Sequence, residues 1–117
     1  MITSLVHLGD QGDAHSDLLD AAAQLVWTAG PPSRNAGLCH GTAGNGFAFL
    51  ALFSRGGDER WLDRARAFAM HAIAQVARLR AVTGRARYTL FTGDLGAALL
   101  AAACLTVNPA FPGIDDL

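Results

Sequence analysis

Two copies of one pattern, Leu-x-x-Gly-x-x-Gly, limit what this chain can fold into. Leu38-Cys39-His40-Gly41-Thr42-Ala43-Gly44 lines up with Leu90-Phe91-Thr92-Gly93-Asp94-Leu95-Gly96 at an offset of 52 residues. Each copy opens a run that is apolar nearly all round, Phe47 to Phe53 after the first and Ala97 to Leu105 after the second. A helix that is apolar on every side belongs in an interior. Between the copies, Trp61, Leu62, Ala65, Phe68, Ala69, Ala72, Ile73, Val76 and Leu79 form a stripe of helical period. Asp63, Arg64, Arg66, Gln75 and Arg78 mark the wet side of that segment. Buried inner helices alternating with half-wet outer ones are the pattern of a helical repeat array or toroid. About three such repeats are normally needed to bury a core, so two copies suggest part of a larger body.

The punctuation predicts an all-α domain of four helices with no sheet: outer ones near 17–29 and 58–79, inner ones near 43–53 and 94–104. Residues 1–15 read as an irregular lead and 16–117 as the helical domain. Ser16 or Asp17 can cap the first helix, with Leu18, Leu19, Ala22, Leu25, Val26 and Ala29 on one stripe. Gly30-Pro31-Pro32 ends it. Gly56-Gly57-Asp58 separates the second helix from the third, Arg78 to Arg87 reads as a basic loop, and Phe111-Pro112-Gly113 belongs to an extended tail. Twenty-three alanines among 117 residues favour closely packed helices.

Composition narrows the function classes. The net charge is −1 with no standout basic block, so no nucleic acid is expected as a partner. No apolar run approaches the roughly 20 residues of a transmembrane helix. The first residues lack the basic start and long apolar core of a secretory signal, and two cysteines build no disulfide framework. The expected setting is therefore cytoplasmic.

Chemistry concentrates between Gly37 and Gly46. Cys39 offers a soft thiolate and His40 an imidazole nitrogen, donor types that zinc takes. Glycines at 37, 41 and 44 suit a tight turn that presents side chains. The alternative reading makes Cys39 a small buried hydrophobe and His40 a satisfied residue at a helix entry. Cys104 falls near the far end of its helix, well over 10 Å along the axis from the position of Cys39, and is expected to pack in the core. His7 and His15 lie in the lead, and His71 on the long outer helix. Arg34 is a solvated loop residue or meets an anionic substrate group. Arg85 and Arg87 carry the same two readings.

The stretch Gly37-Leu38-Cys39-His40-Gly41-Thr42-Ala43-Gly44-Asn45 resembles the signature of the lanthionine synthetase C-like family. These are the cyclases of lantibiotic biosynthesis and their glutathione-binding relatives. Trp61-Leu62, Ala65-Arg66-Ala67-Phe68-Ala69, Leu90-Phe91-Thr92-Gly93-Asp94-Leu95-Gly96 and Phe111-Pro112 follow in the order of that family's C-terminal end, so the likeness covers roughly residues 18 to 115. The resemblance implies a seven-repeat α/α toroid with one zinc in its bowl, of which this chain matches the last two or so repeats. It implies Cys39 and His40 as two zinc ligands, Arg34 at a substrate-binding position where glutathione-binding members carry a basic residue, and a dehydrated peptide or glutathione-like thiol as substrate. The family's third ligand, a cysteine, and its acid/base histidine lie upstream of the matched part. No catalytic residue is therefore assigned here, and the missing N-terminal part of the toroid is an implied partner. The parent activity is thiol addition to dehydrated residues, giving lanthionine thioethers; the alternative is glutathione or peptide binding without cyclisation.

Overall fold

Gly84, at φ 66, closes the longest helix: its N–H donates to the Arg80 carbonyl, a left-handed end that favours a residue without a Cβ. The computed structural model describes residues 13–33 and 35–115. Four helices run through it: α1 (Asp13–Ala29), α2 (Thr42–Gly56), α3 (Glu59–Thr83) and α4 (Asp94–Thr106), with no strand among the described residues. The all-α expectation holds. Asp58 caps α3 by accepting the Arg60 N–H at 3.0 Å, as its position after two glycines suggests.

The inner helix α2 is the centre of the core. Phe47, Phe49 and Leu50 are all but inaccessible, and Ala43, Ala48 and Leu52 join them. The outer helices α1 and α3 lie over it through aromatic rings. Phe49 stacks on Trp61 at 5.8 Å between centroids and meets Phe68 edge-on at 5.0 Å, while Trp27 of α1 tilts against Phe68 at 5.9 Å. Such offset and edge-on pairs add roughly 0.5–1.5 kcal/mol each to the area they bury. Leu100 of α4 fills the space over Gly46 of α2, bringing the two inner helices together. Phe111 of the tail packs edge-on against Phe47 at 5.4 Å, so the tail is docked at that point.

Several expectations are corrected. Helix α1 starts at Asp13, ahead of Ser16 and Asp17, so those two residues lie inside its first turns. Its buried side is Leu19, Ala23, Val26 and Trp27; Leu18 and Leu25, read as stripe, are exposed. Residues 78–83, read as loop, are the last turns of α3. Gln75, read as wet, is buried: its Oε1 accepts the Thr42 hydroxyl at 2.6 Å and its Nε2 donates to the Pro32 carbonyl. That amide ties the outer helix to the loop before α2.

Helix α4, apolar nearly all round, is covered on one side only. Leu100, Ala103 and Cys104 face the core, but Leu95 and Leu99 are partly open and Leu105 is 86% exposed. By the 52-residue offset, Ala98 occupies the place of Gly46, where α2 receives Leu100. Ala98 is exposed. The face of α4 that repeats the α2–α4 contact surface is thus uncovered, in keeping with a pattern of two copies where about three are normally needed.

Candidate functional site

Both glycine patterns fold the same way before their helices. The Thr42 N–H donates to the Asn35 carbonyl at 2.9 Å, and the Asp94 N–H to the Arg87 carbonyl at 2.7 Å, each closing a loop between residues seven positions apart. Gly41 and Gly93 then enter the helix from extended backbone, at φ −123 and −115. At the positions of Cys39 and His40 the second loop carries Phe91 and Thr92. The first loop alone carries a cysteine and a histidine.

The two loops touch through their backbones. The Cys39 N–H donates to the Phe91 carbonyl at 2.8 Å. A Cβ at Gly37 would lie 2.5 Å from that same oxygen, so a side chain there would force the loops apart. Leu38 is buried in the core and anchors the turn from below.

Asn35 holds the turn from within. Its Oδ1 accepts the Gly37 N–H and its Nδ2 donates to the Cys39 carbonyl, both at 2.9 Å. With its own carbonyl taken by Thr42, one residue fixes three points of the loop. Asn35→Ala removes two hydrogen bonds, each worth about 0.5–1.5 kcal/mol net, and should lower stability by about 1–2 kcal/mol in thermal melts. Asn35→Asp keeps the acceptor but turns the donor into an oxygen facing an oxygen, so it should not rescue. An aspartate variant as stable as the parent would disprove the clamp.

The result is an exposed pair. Cys39 and His40 both reach solvent, and Cys39 is a free thiol. His40 sits at φ 55, in the left-handed region that few residues other than glycine occupy. Sparsely populated backbone of this kind persists where the surroundings over-determine it, often at functional sites. The reading of Cys39 as a buried hydrophobe does not hold. Cys104 is the buried one, and loss of solvation raises its thiol pKa to about 11, against a smaller pull from Arg66. It remains protonated and inert, as a core residue.

The two donors stand without a third: among the described residues no group of three His, Cys, Asp or Glu side chains converges as a metal site would require. His71 is half-buried on α3 and His15 lies on α1. Arg34 and His7 lie outside the described residues. Arg85 and Arg87 are exposed in the second loop. Asn35, Thr42 and Gln75 were not singled out by sequence. The signal available for Asn35 was its residue type, which favours side-chain bonds to nearby backbone in turns. No helix of the described residues is long and apolar enough to cross a membrane.

A family model described as lanthionine synthetase C-like protein matches residues 2–115. The chain is 34% identical to the LanC-like protein GCL1 of Arabidopsis thaliana over 98 residues, covering 80% of this chain and 22% of that protein. It is 44% identical to glutathione S-transferase LANCL1 of Danio rerio over 46 residues, covering 39% of this chain and 11% of that protein. The chain thus spans between a tenth and a quarter of these curated relatives.

Proposed function

Because the chain belongs to the lanthionine synthetase C-like family, we propose that it supplies the Cys39–His40 part of a zinc site in a protein that adds thiols to dehydrated residues of peptides. The observation that carries this reading is the exposed pair on a left-handed, three-point-pinned turn. A thiolate and an imidazole donor held in that way, both exposed, suit a ligand better than a fold.

The donor types fit zinc, and the number falls short of the three protein ligands of a catalytic site. Cys39 Sγ and an imidazole nitrogen of His40 would hold the ion, with the remaining ligand coming from beyond the described residues. Zinc, when bound, lowers the pKa of a thiol so that thiolate forms near neutral pH. The part played by this chain is to hold two donors and orient them through Asn35, Gly37 and the Phe91 carbonyl. In the overall reaction, sulfur bonds to the β-carbon of a dehydroalanine or dehydrobutyrine, the carbon–carbon π bond is consumed, and the α-carbon takes up a proton. That proton is handled outside this chain. Arg34 is proposed to face an anionic group of the substrate, and the working compartment is proposed to be the cytoplasm.

A second reading, binding or transfer of a glutathione-like thiol without cyclisation, is favoured by the relative named as a glutathione S-transferase. One chimera separates them: residues 18–115 placed in the corresponding segment of the Arabidopsis relative, assayed for zinc content, thioether formation on a dehydrated peptide, and glutathione transfer. Thioether formation lost with Cys39→Ala supports the first reading, and glutathione transfer alone supports the second. A chimera that retains zinc equally well with Cys39→Ala rejects the site.

A further inference from the structure

A second feature lies away from Cys39 and His40. A cleft of about 360 Å³ opens between the C-terminal half of α3 and the two glycine loops. Val76, Leu79 and Val82, three and six residues apart on α3, give it an apolar strip, with Arg78 and Arg87 beside it and Asn35 on the loop wall. Cys39 and His40 do not line it. We propose that this cleft binds an acidic peptide segment whose carboxylates alternate with apolar side chains.

Charge favours that occupant. From Arg64 to Gly93 the chain carries six arginines and no Asp or Glu, while the rest of it carries three arginines against ten acids. Arg78, Arg80, Arg85 and Arg87 fall at this end of α3 and just beyond it, and none has a carboxylate partner among the described residues, whereas Arg60 at the opposite end of the helix pairs with Asp58. Asp94 also lines the cleft, but its Oδ2 accepts the Arg87 backbone N–H at 3.0 Å, so the two arginines of the lining outnumber one carboxylate that is already engaged. Guanidinium forks take carboxylates in pairs of hydrogen bonds, which ammonium groups do not match.

The apolar strip excludes a small free anion as a full match. Val82 is 86% exposed beside these cations, and apolar surface of this kind is stabilised by cover. A cleft of this size holds a few side chains rather than a folded domain. Leucine-like side chains on Val76, Leu79 and Val82, with Asp or Glu side chains on Arg78 and Arg87, satisfy both halves. This site does not depend on the metal reading above.

The test uses the whole chain and a short fluorescein-labelled peptide of alternating glutamate and leucine, read by anisotropy. Saturable binding is expected, weakened about tenfold or more by Arg78→Gln with Arg87→Gln, weakened by Val82→Ser, and weakened as salt rises. Cys39→Ala and Arg60→Ala should bind like the parent. The proposal is overturned by absent binding, or by the double variant binding as tightly as the parent. It also fails if a peptide with serine for leucine binds equally well, which would leave only charge, or if duplex DNA or anionic vesicles bind more tightly than the peptide. Should the double variant lose its helical circular dichroism, Val82→Ser and the serine peptide still decide the matter.

Discussion

Phe49→Ala should come close to unfolding the chain. Phe49 is fully buried and is the one ring that meets Trp61, Phe68 and Trp27 together, at 5.8, 5.0 and 6.3 Å between centroids. Truncating a buried phenylalanine costs about 3–5 kcal/mol in transfer and cavity terms. A chain of this length is stable by roughly 6–18 kcal/mol at the usual 0.05–0.15 kcal/mol per residue. The uncovered face of α4 puts this one toward the lower end. Urea denaturation should show the midpoint falling by half or more. Phe111→Ala is the comparison: Phe111 is only partly buried and makes one ring contact, with Phe47, so about 1–2 kcal/mol is expected. A smaller loss for Phe49→Ala than for Phe111→Ala would mean that the aromatic cluster is not the keystone.

The cluster was legible because helical period alone puts Trp61 and Phe68 on one face, and an all-apolar run puts Phe49 inside. What period does not give is the partner of a polar residue. Gln75 was read as wet by residue type, although it lies three residues after Ala72 and seven after Phe68, beside the stripe; its amide bonds Thr42, thirty-three positions away, and Pro32. Arg64 was read the same way. Its guanidinium lies between the rings of Trp27 and Trp61, 4.9 and 4.8 Å from their centroids, and donates to Gln24 Oε1 at 2.8 Å. Long polar side chains cover apolar surface with their stems and flat heads, which a polar/apolar alphabet cannot express. The end of α3 was misplaced for another reason: Gly84 was read inside a loop, whereas a glycine after a run of good helix formers is a stop signal.

The Cys39–His40 pair stood out in sequence through residue type and glycine context. Its geometry did not. Nothing in the letters says that His40 adopts φ 55, or that Asn35 reaches forward to the Cys39 carbonyl. The site therefore divides into donors, which are local and readable, and a clamp, which depends on how two loops meet.

That division leads to a variant in which fold and function move in opposite directions. His40→Gly removes a donor and also a Cβ from left-handed backbone, where an L-residue costs roughly 1–2 kcal/mol. Glycine's greater freedom in the unfolded chain takes back part of that gain. The variant should be no less stable than the parent, or more stable by about 1 kcal/mol, while its hold on zinc falls. His40→Ala loses the donor and keeps the strain, so it should lose zinc without the gain. Val107, the other non-glycine residue in the left-handed region among the described residues, closes α4 at φ 52 with its N–H on the Ala103 carbonyl. Val107→Gly should be stabilised too, with zinc unchanged. A full set of structural ligands contributes about 10–16 kcal/mol to zinc binding. Two donors should therefore give the parent only weak retention against a chelator, and Cys39→Ala should remove it. In the chimera with the Arabidopsis relative, stoichiometric zinc should return and depend on both residues. If His40→Gly retains zinc like the parent, His40 is not a ligand. If it is destabilised by more than about 1 kcal/mol, the left-handed turn is held by contacts of the imidazole and not by the clamp around it.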